Sequence, residues 1–469
     1  MAFKQHISNR LHWYMLYAGC LLAGGCTKFV DIAPPKSEAP ANTTVYTNDA
    51  GATAAMLGIY GRMINSSGFA GGYNRSVTFL AALSADELIY YSAADVPRQF
   101  YQDAVRANNP AIRDDLWNEI YTYIYAANDV YEGVKGSAGI TQPVKAQLMG
   151  EALFVRAFCH FYLVNLFGAV PLVTQKDYEQ NMKVKRTAPD TLYRQITGDL
   201  QDAQSLLGNN YAGGEKVRPG KAAATALLAR VFLYRQDWAN AEEQASRVIN
   251  DPAYRLNDTL HNVFLENSTE AIWQLMPNTP ALNTWEGFNF ILTTAPAATE
   301  TSAAALSPWL LQAFESGDRR RSSWVDSIKV NAAVYYFPCK YRVKRGDVLT
   351  EYSMVLRLAE QYLVRAEARA RLGNFSGACA DVNVIRKRAG LPPVRYNTAA
   401  ELLAAVEHER QVELFTEWGH RWLDLKRTGR ANAVLAQVKP AWQSEAALYP
   451  LPLGELAKNA FLQPQNPGY

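Results

Sequence analysis

Apolar residues recur at intervals of three and four along most of the chain, a period that predicts α-helices. Asp49 stands where it can cap the first of these helices. Pro110 suits the first turn of a second helix. Pro143 opens a third apolar stretch, which continues towards Gly168. The pattern therefore favours a mainly α fold class.

Two other local patterns refine this picture. Thr398 and Glu401 have the spacing of a capping box, in which two side chains bond each other's backbone N–H groups, so we expect a helix to start there. Strand-like alternation is short and scattered, as in residues 170–173 and 330–337. We expect a few short strands among the helices.

The sequence contains an internal repeat. Residues 236–241 match residues 373–378 at an offset of 137. Each copy has a helix, a tight turn, an aromatic residue and a second helix that opens with alanine, which is the pattern of tetratricopeptide-like helical pairs. We expect such pairs near residues 221–250 and 356–388, with a loop-rich insertion near residues 253–350.

Residues 1–25 have the features of a secretory signal peptide. Lys4 and Arg10 make a basic start, and residues 11–22 are mostly apolar and too few to span a membrane comfortably. The sequence Leu-Ala-Gly-Gly-Cys that follows resembles a bacterial lipobox, which makes Cys26 the expected lipidation site. An ordinary signal peptide with an incidental cysteine is the alternative.

The segment after the signal peptide is predicted to be a tether. Residues 26–46 hold the lipidated N-terminus and include Pro34, Pro35 and Pro40 among small polar residues, a composition that disfavours helix. We expect residues 47–469 to form a single helical body.

Composition argues against several kinds of function. Removal of the signal peptide takes the 47 basic residues to 45 against 44 acidic ones, and a near-neutral surface argues against nucleic acid as a partner. Three cysteines beyond Cys26 form no disulfide framework. The six histidines show no metal-binding spacing, and the sequence has no phosphate-binding loop or nucleophile elbow. We expect no metal and no cofactor.

Acidic and basic residues alternate near the C-terminus. The charged group comprises Glu409, Arg410, Glu413, Glu417, Arg421 and Asp424. Two carboxylates could serve a glycosidase. Their helical spacing among arginines instead favours ion pairs that fix a helix to its neighbours. We therefore expect a structural role and no enzyme activity.

Sequence blocks over nearly the whole chain resemble the SusD-like, or RagB-like, family of outer-membrane nutrient-binding lipoproteins. Their order and spacing carry the resemblance more than any single block does. The blocks are residues 26–31, 84–88, 150–168, 317–320, 356–367, 409–425 and 465–469.

The resemblance implies a SusD-like fold, with tetratricopeptide-like helical pairs on one side and a loop-rich ligand-binding region with short strands on the other. It also implies a lipid-anchored, surface-exposed protein of the outer membrane that works with a SusC-like TonB-dependent barrel. Most studied members of the family bind oligosaccharides, whereas some RagB-like members serve peptide uptake. The family is not catalytic.

The resemblance further implies that ligands bind near residues 86–87 and in a loop before residues 317–320. Aromatic rings there could stack on a sugar, and polar groups could bond its hydroxyls. The candidates are Arg75, Tyr90, Tyr91, Trp285, Phe288, Asn289 and Phe290. Trp285 is the first choice, because it stands in a predicted loop with Asn283, Thr284 and Gly287, although ordinary packing is at least an equal alternative for each residue.

Four functions remain open on these grounds. The first is capture of a glycan for a transporter, and the second is the same role with a peptide ligand. A glycosidase would need two facing carboxylates in a cleft. A pure tetratricopeptide scaffold would have no need of so large an insertion as residues 253–350.

Overall fold

The computed structural model describes residues 45–65, 68–297, 302–396 and 398–469. The predicted signal peptide, the lipidation site Cys26 and all but the last two residues of the predicted tether lie outside the described residues. Residues Tyr46–Tyr469 form one compact unit.

Helices make up most of the described chain, so the predicted mainly α class is confirmed. The first nine are α1 (Asp49–Met63), α2 (Val77–Ser84), α3 (Asp95–Tyr101), α4 (Glu119–Gly136), α5 (Gln142–Phe167), α6 (Tyr178–Asn181), α7 (Pro189–Leu206), α8 (Lys221–Tyr234) and α9 (Trp238–Ile249). The others are α10 (Trp285–Phe290), α11 (Pro308–Ala313), α12 (Arg319–Ser323), α13 (Leu358–Arg371), α14 (Phe375–Arg388), α15 (Ala399–Glu413), α16 (His420–Arg427), α17 (Ala431–Val438) and α18 (Leu453–Lys458). Within the described ranges, no helix combines the length and the apolar composition needed to cross a bilayer.

The strands are short and pair antiparallel in two-stranded sheets. β1 (Leu88–Tyr90) pairs with β5 (Ala304–Leu306), β2 (Val170–Pro171) with β3 (Arg186–Thr187), β4 (Ala271–Leu275) with β8 (Ser353–Arg357), and β6 (Val325–Val330) with β7 (Ala333–Pro338). The strand pattern predicted at residues 330–337 corresponds mainly to β7. The pairings of β1 with β5 and of β4 with β8 join segments distant in sequence, whereas β6 and β7 form a local hairpin.

The long helices pack in series. α4 contacts α5, α5 contacts α7, and α7 contacts α8. α9 then packs against both α8 and α13, and α13 contacts α14 and α15. The α8–α9 and α13–α14 hairpins are the two predicted helical pairs, and α9 joins them into one layer.

The two hairpins share the geometry of their turns. Gln236 and Gly373 both have positive φ angles, +59° and +82°, at equivalent places in the repeat. The next residues, Asp237 and Asn374, cap α9 and α14 by accepting a backbone N–H bond from the first turn. Because glycine adopts this left-handed conformation at little cost, it suits the second copy better than glutamine suits the first.

Helix boundaries test the local sequence rules. Thr398 caps α15 by accepting from the backbone N–H of Glu401 at 3.3 Å, as the capping box predicts, and its hydroxyl also donates to the Glu401 carboxylate at 2.8 Å. α5 ends at Gly168, as predicted. Asn48, not Asp49, caps α1, and Asp49 is the first helical residue, so that prediction was wrong. Asparagine and aspartate can both cap a helix. Here Asn48 has the extended backbone of a cap residue, whereas Asp49 already lies in the helix.

Pro110 does lead into a helix, but the helix begins with an irregular turn. Residues Ala111–Asn118 are π-helical and continue directly into α4. Apolar periodicity does not distinguish this wider turn from an α-helix, and the sequence pattern did not predict it.

An aromatic cluster ties the parts of the body together. Its rings come from the loop after α1, from α5, from β4 and from the segment before α16, with neighbouring ring centroids 5.0–6.0 Å apart. The members are Phe69, Phe158, Tyr162, Trp273 and Trp418. All are almost completely buried, so the helical layer and the loop-rich region share one core.

Candidate functional site

A carboxylate pair anchors the chain where it enters β1. Arg421 of α16 donates two hydrogen bonds to the Asp86 carboxylate, at 2.8 and 2.7 Å. The backbone N–H of Thr416 donates to Glu87 at 3.1 Å. Burial, helped by the charge of Asp86, raises the pKa of Glu87 to about 8, so this carboxyl is largely protonated at neutral pH. β1 is thus fixed to the C-terminal helices.

Four partly exposed aromatic residues lie beside β1, and we call them the tyrosine face: Tyr91, Tyr101, Trp309 and Tyr335. Tyr91 and Tyr335 meet edge to face, with ring centroids 5.5 Å apart. Tyr101 and Trp309 line one small cleft against β1 and Ser307, the residue after β5. Burial raises the pKa of Tyr91, and the neighbouring phenols of Tyr335 and Tyr101 raise it further. Tyr91 and Trp309 are each 43% exposed.

The tyrosine face is suited to bind a flat apolar surface. Aromatic rings stack on such surfaces, including the C–H face of a sugar, and the phenol hydroxyls can both donate and accept hydrogen bonds at its rim. The backbone N–H of Tyr91 donates to the residue before β5 at 2.8 Å, which continues the sheet. Because the rings stand on or beside paired strands and on two helices, little conformational entropy is lost when a ligand binds.

The other two N-terminal candidates serve different contacts. Tyr90 is only 4% exposed, and the Arg98 guanidinium lies 6.0 Å from its ring centroid. Arg75 ends a 3-10 turn and lies 3.7 Å from the Asp115 carboxylate. Burial raises the pKa of Asp115 to about 6, although Arg75 opposes the rise. Of these candidates, Tyr91 alone presents a widely exposed ring.

Trp285 does not stand in an exposed loop, and that expectation was wrong. It begins the short helix α10, is 8% exposed, and donates from its indole N–H to the carbonyl of Ile64 at 2.9 Å. Its ring meets Tyr73 and Phe288 edge-on, at 5.9 and 5.6 Å between centroids. The indole is therefore a packing and hydrogen-bonding residue.

The remaining insertion candidates are equally buried. Phe288 is 7% exposed and has the Arg345 guanidinium 4.6 Å from its ring centroid. Asn289 is 5% exposed and donates to the carbonyl of Tyr73 at 2.5 Å. Phe290 packs on a neighbouring ring and is 4% exposed. The structure brings these residues together as an internal support for the loop-rich region.

Sequence reasoning did not select Tyr101, Trp309 or Tyr335. A signal was available for Tyr335, because it lies on the alternating stretch at residues 330–337. Tyr335 shares one face of β7 with the buried Phe337 and is only half-buried at the edge of the hydrophobic cluster around Phe337, whereas Val334 on the opposite face is 47% exposed. Trp309 comes near β1 only through the pairing of β1 with β5, and Tyr101 through the packing of α3 on β1, which no local pattern reports.

The C-terminal charged group forms a buried ion-pair network, as predicted. Glu413 accepts from Arg357 at 2.6 Å and from Arg320 at 3.2 Å, and it also pairs with Arg388. Glu417 pairs with Arg357 at 2.7 Å. Burial raises the pKa of Glu413, but the surrounding guanidinium groups outweigh it and hold that pKa below its ordinary value. These carboxylates are charged and occupied.

The rest of the charged group is paired in the same way. Arg410 donates to Asp424 at 2.7 Å, and Glu409 accepts from Arg320 at 2.8 Å. Because each carboxylate already has a guanidinium partner inside the protein, the group gives no facing acid and base for glycoside hydrolysis. Its role is to join α15, α16 and the insertion.

One set of side chains has the composition of a metal site. Single ligand atoms of Glu315, His408 and Glu409 lie within 4.8 Å of one another. Arg386 pairs with both carboxylates, and the His408 Nε2 lies 2.7 Å from the carbonyl of Ala313. The guanidinium supplies the positive charge that a cation would bring, so these residues do not fit a metal ion.

Two family models match the chain. One, described as starch-binding and associating with the outer membrane, matches residues 79–233, and the other, described as the SusD family, matches residues 320–469. Together they cover well over half of the sequence, and the second begins within the loop-rich insertion at residues 253–350.

Curated relatives match over most of the chain. SusD-like protein P25 of Formosa agariphila is 24% identical, over 97% of this chain and 98% of its own. The starch-binding protein SusD of Bacteroides thetaiotaomicron is 24% identical, over 71% of this chain and 74% of its own. These relatives are named for binding or for the family, and not for a reaction.

Solved structures share the fold. A laminarin-binding SusD-like protein superposes with a TM-score of 0.75 and 26% identity, over 90% of this chain and 100% of that one. A SusD superfamily protein from Bacteroides vulgatus gives a TM-score of 0.78 at 18% identity, over 91% of this chain and 100% of that one. The family models, the relatives and the shared helical fold together show that the chain belongs to the SusD/RagB family.

Proposed function

We propose that the protein is a cell-surface, lipid-anchored glycan-binding protein that captures oligosaccharides and delivers them to a SusC-like TonB-dependent transporter. The observation that carries the binding role is the tyrosine face, a set of exposed rings on a fixed frame. The names of a starch-binding relative and a laminarin-binding structural neighbour support sugar as the ligand.

Recognition at this face combines stacking with hydrogen bonding. A pyranose ring lies on the exposed face of Tyr91 or Trp309, and the phenols of Tyr101 and Tyr335 bond hydroxyls at the edge of the sugar. No bond of the glycan is broken, because the carboxylates of the charged group are buried in ion pairs that a ligand does not reach.

We expect Tyr91→Ala to weaken oligosaccharide binding about tenfold, since loss of one stacking ring costs roughly 1–1.5 kcal/mol. Calorimetric titration of the soluble body, that is, the protein without its signal peptide and lipid anchor, with starch- and laminarin-derived oligosaccharides measures the effect. Tyr91→Phe, which keeps the ring, should retain most of the affinity. Leu372→Ala, at a residue that is 47% exposed at the end of α13, should change nothing.

Two results would contradict the glycan assignment. One is equal affinity of the Tyr91→Ala variant and the unaltered protein for every bound oligosaccharide. The other is binding of peptides, with indifference to all glycans, which would favour the peptide-uptake role.

The anchor and the delivery role rest on the sequence. An acylated Cys26 would hold the protein at the membrane durably, because several acyl chains each contribute about 0.8 kcal/mol per buried methylene. The full-length protein, extracted from outer membranes in mild detergent, is therefore expected to co-purify with a β-barrel transporter. Its repeated recovery without any barrel would contradict the delivery role and leave glycan binding in place.

A further inference from the structure

A cavity of about 420 Å³ lies away from the tyrosine face. It opens between α4, the loop that contains α6, and the C-terminal residues 455–462. The volume falls within the range of roughly 300–1,000 Å³ found for small-molecule sites. None of the four tyrosine-face residues lines this cavity. We call it the α4–α6 cavity after two of the elements that form it.

One wall of the α4–α6 cavity is fixed to α4. Lys176, just before α6, forms an ion pair with Asp129 of α4 at 3.0 Å. The carbonyl of Gln175 accepts from Asn128 at 3.2 Å and from Asn181 at 2.8 Å. This loop is therefore held in place before any ligand arrives.

The opposite wall and the floor are also fixed. Asn459 donates to the carbonyl of Val184 at 3.1 Å, and Lys185 lies 5.5 Å from the ring centroid of Phe461. At the floor, the Tyr121 hydroxyl donates to the carbonyl of Pro171 at 2.9 Å. A preformed cavity of this kind binds without paying for loop ordering.

The lining combines ring faces with uncharged polar groups. Tyr125 is 45% exposed and Tyr178 is 68% exposed, so both present ring surface to a ligand. Trp117 and Tyr121, with ring centroids 5.0 Å apart, make an apolar floor. The Asn118 amide also lines the cavity, and its side chain does not cap α4.

Charged groups at the cavity largely cancel one another. Lys458 and Glu455 are ion-paired at 2.8 Å. Asn181 and Thr122 add an amide and a hydroxyl to the lining. A ligand for this site should therefore be uncharged, with apolar faces and hydroxyl-bearing edges, which is the chemistry of a neutral sugar.

We propose that the α4–α6 cavity is a second carbohydrate site, which binds a short neutral segment of glycan between Tyr125 and Tyr178. The proposal rests on the proposed function for the class of ligand, but it uses none of the residues of the tyrosine face. The protein then holds a glycan at two independent places.

The test compares binding stoichiometry in matched variants of the soluble body. The pocket variant is Tyr125→Ala with Tyr178→Ala, and its ring-keeping control is Tyr125→Phe with Tyr178→Phe. The face variant is Tyr91→Ala with Trp309→Ala. Because all four residues are at least 43% exposed, we expect each variant to fold, which thermal unfolding checks.

Calorimetric titration with neutral starch- and laminarin-derived oligosaccharides should give two equivalents for the unaltered protein. The pocket variant and the face variant should each give one, the ring-keeping control two, and the combined variant none. Unchanged stoichiometry in the pocket variant would overturn the second site while the proposed function stands. Loss of binding in the pocket variant alone would support the cavity and refute the tyrosine face.

A final arm distinguishes sugar from an apolar partner. An environment-sensitive apolar dye should leave the α4–α6 cavity when the oligosaccharide is added. Dye that binds there, is lost in the pocket variant and is not displaced by any glycan would overturn the carbohydrate assignment in favour of an apolar ligand.

Discussion

Glu413→Ala is expected to destabilise the protein by about 3–5 kcal/mol, the cost of leaving buried charges without their partner. Glu413 is completely buried and pairs with Arg320, Arg357 and Arg388. Removing its carboxylate leaves three guanidinium groups competing for the remaining acids. A large fall in the urea midpoint should follow, because the loss is a substantial part of the stability of an ordinary domain.

The matched control is Glu243→Ala. Glu243 pairs with Arg247 on α9, where both side chains are 54% exposed, and an exposed pair of this kind contributes at most about 0.5 kcal/mol. Equal urea midpoints for the two variants would show that the buried network does not stabilise the fold as described.

Trp285→Ala is expected to cost about 3–5 kcal/mol of stability, as large-to-small substitutions in a core do. The substitution removes an indole that is 8% exposed and leaves the carbonyl of Ile64 without its donor. Below the unfolding transition, glycan affinity should change little, because the tyrosine face does not include this ring. Thermal unfolding and calorimetric titration of the same samples separate the two effects.

Trp309→Ala is expected to have the opposite effects to Trp285→Ala. Trp309 is 43% exposed, so its removal should cost little stability and should weaken glycan binding. If Trp285→Ala abolished binding in a protein that remained fully folded, the tyrosine face would be the wrong site and Trp285 would regain its place as a ligand residue.

Local chemistry made the helical part of the fold predictable. The capping box at Thr398 and the glycine after α5 act over three or four residues, and the sequence shows them directly. The repeat was equally visible, because Asp237 and Asn374 cap equivalent helices. The cap of α1 shows the limit of such prediction. Asn48 and Asp49 have similar chemistry, and the sequence does not show which of the two caps the helix.

The site was less predictable because exposure depends on contacts between distant segments. The polar residues around Trp285 suggested an open loop. In the structure, Thr284 caps α10, and the Asn283 side chain accepts from the backbone N–H groups of Thr350 and Glu351. Their polar side chains form internal hydrogen bonds and are not exposed to solvent. The local sequence is the same for both arrangements.

The pairing of β1 with β5 has a consequence for how specificity can change. The frame consists of backbone hydrogen bonds and of the Asp86–Arg421 pair, none of which depends on the identity of the exposed rings. Aromatic side chains on that frame can be exchanged for others without disturbing the helices behind it. We therefore expect related proteins with the same scaffold to bind different ligands through substitutions at a few surface residues.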